Sequence, residues 1–150
     1  MIKRVLVLCA VLLGAAGLGC GGSSGGTGDL PVKPQIVTDR DSIVDQAIYA
    51  GQQKNQTLQV TDKGQQDLVV SGYTLSGDPG VVLLNSTLIQ ASDGSMNNTV
   101  KSNQTAFISM TCKPTNVGQT VTATLTINSN AENSPTKTVS VSCGPAVAPP

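Results

Sequence analysis

Apolar and polar residues alternate with a period of two through much of the C-terminal half of the chain. In Thr120–Asn128, residues Val121, Ala123, Leu125 and Ile127 share one face. Thr120, Thr122, Thr124, Thr126 and Asn128 share the other. This is the pattern of a half-buried antiparallel strand with a solvated threonine face. Thr105–Cys112 repeats it with Ala106, Ile108, Met110 and Cys112, and Thr136–Cys143 with Val139, Val141 and Cys143. Earlier in the chain, Asn55–Asp62 places Leu58 and Val60 on one parity. Asp67–Leu75 carries Leu68, Val69, Val70, Tyr73 and Leu75, and Val81–Leu84 is an unbroken apolar run suited to a buried strand. Ser42–Tyr49 suits either a strand or a short helix, because Ile43, Val44, Ala47 and Ile48 satisfy both periods.

Turn-forming residues separate these runs: Asp62-Lys63-Gly64, Gly77-Asp78-Pro79-Gly80, Asp93-Gly94 and Asn116-Val117-Gly118. About seven short strands at this spacing predict an all-β, immunoglobulin-like antiparallel sandwich over residues 36–144. Parity puts Cys112 and Cys143 on apolar faces, each at the end of its strand. Two such faces packed together bring both sulfurs into one core. The loop they would close holds 32 residues, for which the chain-entropy relation gives about 3–4 kcal/mol. With Tyr49, Tyr73 and Phe107 as the chain's only aromatic residues, all counted here towards the core, that contribution would be a large share of domain stability.

The N-terminus changes the picture. Met1-Ile2-Lys3-Arg4 is basic, Val5 to Leu18 is an uncharged apolar run, and Gly19-Cys20 closes it. Gly21–Gly28 is a Gly/Ser-rich stretch that no core would use. A basic start, a short apolar run and small residues before a cut site make a secretory signal. The run of 14 residues falls short of the roughly 20 that span a bilayer. The arrangement resembles the bacterial lipoprotein signal, in which the cysteine after the cut becomes the lipidated first residue. Gly19 fits that pattern, whereas Leu18 sits one place late and Gly17 takes the usual leucine position. An ordinary signal peptide with an incidental Cys20 is the alternative. The resemblance implies a signal peptide at 1–19, a lipidated Cys20 opening a tether at 20–35, and attachment to the membrane through that lipid. The acylation it implies exceeds the two signals that stable anchoring takes. The expected location is the bacterial cell envelope. Gly21, in place of Asp, resembles an outer-membrane sorting signal. A Gly/Ser coil of about eight residues averages roughly 15–17 Å end to end, which would hold a domain close to its membrane. Pro145, Pro149 and Pro150 mark an expected frayed tail at 145–150.

Composition then excludes function classes. Cleavage before Cys20 leaves 131 residues, with seven Lys and Arg against nine Asp and Glu. There is no basic run and almost no stacking ring, so nucleic-acid binding lacks its means. Cys9 leaves with the signal and Cys20 takes the lipid, so Cys112 and Cys143 remain, and in an oxidising compartment a disulfide is the default. A zinc site is the rival, but two thiols without a histidine in the chain are a poor ligand set. No metal and no cofactor are expected. Asp39, Asp41 and Asp45 are spaced like part of a calcium loop, but no Gly and Glu complete it, so a solvated approach to a strand is the better reading. Asn55, Asn85, Asn97 and Asn103 each begin an N-x-S/T sequon, read here as incidental in an Asn/Thr-rich chain. The polar segment Asp93–Gln104 is read as a loose connection, with a ligand-contacting loop as its alternative. For catalysis the chain offers a single Glu, Glu132, and Ser and Thr without an obvious base. No enzyme is expected.

A wider resemblance rests on Gly51-Gln52-Gln53, Thr57-Leu58-Gln59-Val60-Thr61 and Gly64 through Gly77. It extends through Ile108-Ser109-Met110-Thr111-Cys112-Lys113-Pro114-Thr115, Gly118 and Ala123–Asn130, to Pro135 and Val139–Gly144. These are similar to the ASH/HYDIN-type immunoglobulin-like repeats, which include bacterial choice-of-anchor D modules, over roughly residues 36–144. The usual Phe-Gly near the first strand is absent, with Val44-Asp45 in its place. Cys112 replaces an aromatic, and Cys143 stands opposite. The resemblance implies a sandwich used in binding or assembly, usually without catalysis, and it carries over no functional residue. The expectation is a non-catalytic, lipid-anchored envelope protein whose domain mediates protein–protein contact or scaffolding. A surface-displayed module binding carbohydrate or a small ligand is the alternative. No ligand-binding residue is identified.

Overall fold

The computed structural model describes residues 31–46, 48–85 and 89–150. Eleven strands follow in order: β1 (Ile36–Thr38), β2 (Ser42–Asp45), β3 (Lys54–Asp62), β4 (Leu68–Gly77), β5 (Val81–Leu83) and β6 (Ile89–Ala91), then β7 (Met96–Asn97), β8 (Thr99–Val100), β9 (Thr105–Cys112), β10 (Val121–Ser129) and β11 (Thr136–Cys143). No helix occurs among the described residues. All seven expected strands are present, and Ser42–Asp45 resolves as a strand. The four additional strands, β1, β6, β7 and β8, are two or three residues long. A period of two leaves no mark on so short a segment.

The strands form two sheets. One runs β1-β3-β9-β6-β7, with β5 sharing the β9 edge, and the other runs β2-β11-β10-β4-β8. Every pairing is antiparallel except β2 with β11. The chain crosses between sheets at both lateral edges. Asp39–Asp41 links β1 to β2, and Asn98 links β7 to β8. Short edge strands joined in this way leave little flat edge for another chain to pair with.

Alternation buries Leu58 and Val60 of β3 and Ile108 and Met110 of β9 against Leu125 and Ile127 of β10 and Val139 and Val141 of β11. Strand β4 changes parity within its length, burying Leu68 and Val70 and then Tyr73. The cause is a bulge. Ser129 pairs with Val70 and Asn128 with Gly72, which leaves Ser71 as the extra residue. One inserted residue moves the inward set to the other parity.

Three sequence expectations are corrected by the packing. Only Tyr73 of the three aromatics is buried; Phe107 lies on the outward parity of β9 between Gln59 and Gln90, and Tyr49 is 41% exposed. Residues 145–147 are not frayed: Ala146 is buried, and Val147 bonds backbone-to-backbone with Ile48 and Ala50. At the other terminus, residues 31–35 pack on the sandwich, with Pro34 buried and Pro31 accepting from the Gln65 N–H at 2.8 Å.

Candidate functional site

The two ends of the sandwich carry its chemistry. At one end β9 and β11 finish at Cys112 and Cys143, one from each sheet, and the expected disulfide forms there. Their Cα atoms lie 6.2 Å apart and neither residue is exposed to solvent. Around it, the turn after β9 is held by Gln119, whose Oε1 accepts from the Thr115 and Asn116 N–H groups at 2.8 and 3.0 Å. Ala146 bonds to Gly118 and Gln119, and Tyr49 forms a bridge with Val147. Tyr49, Val117 and Val147 at this end are 41%, 64% and 48% exposed, while the exposed Val37, Val44, Val69, Val82, Leu84 and Met96 are spread in or next to several different strands. Nearby, a concavity of about 330 Å³ runs between Gln53, Asp78, Val82 and Lys113.

The opposite end is organised by Asp62. It continues the inward parity of Leu58 and Val60 and is completely buried. Its Oδ1 accepts from the Gln35 N–H at 3.0 Å and the Gly64 N–H at 2.8 Å. Its backbone bonds to Asn103 and Gln104. The carboxylate therefore joins the incoming chain to the turn after β3, and the Asp62 backbone adds the turn before β9, while Oδ2 has no hydrogen-bond partner among the described residues. The sequence places Asp62 both at the end of the Asn55–Asp62 strand and in the Asp62-Lys63-Gly64 turn, and its parity with Leu58 and Val60 points inward.

Beside this hub lies a groove of about 390 Å³. Its floor is Ala91, Val100 and Ala106, and its rim includes Asp93, Asn97 and Gln104. The segment Asp93–Gln104, expected as a loose connection, is instead β7, β8 and two hydrogen-bonded turns. Asp93 Oδ1 accepts from the Ser95 N–H at 2.9 Å and its hydroxyl at 2.6 Å, and these bonds hold the Asp93 carboxyl below its ordinary range. Lys101 on the rim turns to Asp67 at 2.6 Å, and that contact lowers the Asp67 carboxyl.

The remaining candidates do not assemble. Asp39 binds Arg40 and the Gln59 N–H, Asp41 pairs with Lys137, and Asp45 pairs with Lys54, so the aspartate run is dispersed among separate partners. Among the described residues, no three His, Cys, Asp or Glu side chains stand close enough to hold a metal. No described helix is long and apolar enough to cross a membrane. Cys20 and the signal segment lie outside the described residues.

No family model matches the chain, and no curated protein does. Solved structures do. The chain is similar to the ASH/PapD-like domain of human CEP192 (PapD-like domain 7), at 13% identity and a TM-score of 0.53, over 93% of this chain and 99% of that one. It is also similar to a protein of unknown function from Porphyromonas gingivalis W83, at 11% identity and a TM-score of 0.58. That match covers 74% of this chain, which spans about half (46%) of the Porphyromonas protein. At such identities the likeness speaks for the fold alone, an immunoglobulin-like sandwich.

Proposed function

We propose that this chain is a non-catalytic, lipid-anchored protein of a bacterial cell envelope whose immunoglobulin-like domain docks another protein. The observation that carries the reading is the exposure of Tyr49, Val117 and Val147 on neighbouring backbone segments at the disulfide end. The N-terminal segment joins the domain at the other end, beside Asp62 and Gly64. A lipid on Cys20 with a short Gly/Ser tether would leave the apolar end pointing away from the bilayer, where a partner can reach it. Exposed apolar residues grouped within a polar surface mark interaction sites. The fold supports a binding role in general, and the site must carry the specificity. The absence of catalysis belongs to the same proposal.

Two measurements test it. Mass spectrometry of the mature N-terminus is expected to find an acylated Cys20, and Cys20→Ala to release the protein from the membrane fraction. In-cell cross-linking from position 117 is expected to capture a discrete protein partner, and Val147→Asp to abolish that product. An unmodified Cys20 overturns the anchor. Cross-linking that is equally efficient from Thr124, on the threonine face of β10, overturns the docking end.

A further inference from the structure

The groove beside Asp62 stands apart from the apolar end, so its occupancy is separable from protein docking. Its volume of about 390 Å³ lies at the small end of the range for ligand sites, roughly 300–1,000 Å³. The rim and the floor differ in chemistry. Ala91, Val100 and Ala106 make a smooth apolar floor, with Val100 and Ala106 themselves buried. Above it, Asp93 keeps Oδ2 clear of its two Ser95 bonds, and Gln104 presents its amide group, with its Oε1 at 3.4 Å from the Ser92 hydroxyl. Asn97 adds a second carboxamide, donating to the Ser95 hydroxyl at 3.1 Å and accepting from the Thr99 N–H at 2.8 Å. The rim cation, Lys101, is committed to Asp67.

We propose that this groove binds a small neutral saccharide. A carboxylate accepts from adjacent hydroxyls of a sugar, and a carboxamide both donates and accepts, so Asp93 with Gln104 matches a polyol edge. The C–H face of the ring rests on the alanine and valine floor. Anionic ligands meet the Asp93 charge, and Lys101 on the rim is already paired with Asp67, which together select against phosphates and sugar acids. Each of the turns that carry these residues is closed by a backbone bond: the Gly94 N–H to Ala91 at 2.9 Å, and the Gln104 N–H to Lys101 at 2.8 Å. No aromatic side chain lines the groove, so stacking adds nothing and affinity rests on these polar contacts.

The test is a chemical-shift titration of the full chain with glucose, N-acetylglucosamine, maltose and cellobiose. Saturable shifts are expected at the amides of Ser92, Gly94, Ser95 and Gln104 with at least one of them. Asp93→Asn and Gln104→Ala are each expected to weaken binding about tenfold, the loss that follows removal of one charge-assisted or one well-placed hydrogen bond. Lys137→Ala, on the other sheet, leaves it unchanged. The proposal is overturned if no sugar gives a saturable shift, if both groove substitutions bind as the parent does, or if glucuronate binds as tightly as glucose.

Discussion

The two ends of the sandwich are held together by different physics. At the Cys112–Cys143 end the link is covalent, and it works chiefly by limiting the unfolded chain, so it asks little of its surroundings. Open turns and exposed Tyr49, Val117 and Val147 sit beside it without harm. At the Asp62 end the link is a buried carboxylate that must find its donors in the native state. That end is accordingly held by many interlocking short contacts, including the Ser102 hydroxyl on the Gly64 carbonyl at 2.6 Å. A domain with one buried aromatic and few large side chains therefore has one end free to vary its surface and one end that is tightly constrained.

The largest break in this comparison comes from removing the covalent link. Cys112→Ser with Cys143→Ser is expected to cost about 3–4 kcal/mol, roughly 12–16 °C in Tm for a domain of this size, measured by thermal unfolding. Non-reducing peptide mapping should recover the two positions joined in the parent and separate in the variant. Asp62→Ala comes next. It leaves the Gln35 and Gly64 N–H groups without their acceptor, a loss of about 2–3 kcal/mol. Asp62→Asn, which keeps one oxygen acceptor, should lose less. The ends are separated by the length of β9, about 24 Å of strand, so the combined variant should show the sum of the two losses. A shortfall would mean that the ends communicate.

Gly64→Ala sharpens the picture on the Asp62 side. A Cβ there would stand 2.1 Å from the Lys33 carbonyl oxygen, so the 31–35 segment must shift. The expected cost is about 1–3 kcal/mol, with faster hydrogen exchange at the Gln65 amide that bonds Pro31. The smallest effect belongs to Lys101→Ala at the groove rim. Lys101 lowers the Asp67 carboxyl from its ordinary 3.8, so the pair stabilises the fold above that pH. The difference between parent and variant should disappear as pH falls through the depressed value, as followed by acid unfolding.

Much of the fold was legible where strands are long. Thr105–Cys112 and Thr136–Cys143 have the bounds that alternation predicted, and β10 is displaced by a single residue. The groove was legible only as a polar stretch, because residues 93–104 show no period. Its strands β7 and β8 exist through partners in β6 and β4. The parity break between Val70 and Tyr73 was visible in the sequence, but its cause, the Ser71 bulge, required the β10 register.

Local sequence determined which residues alternate, where turns fall, and that both cysteines end apolar strands. Those are properties of neighbouring side chains, and a period of two survives wherever eight or nine residues repeat it. The outward parity of Phe107 follows from the alternation of its strand, but tertiary structure alone decided that the buried Asp62 holds the Gln35 N–H and that short strands close both lateral edges. Each of these depends on a partner far along the chain, such as Gln35 for Asp62 at a separation of 27 residues, and no local pattern encodes such a pairing.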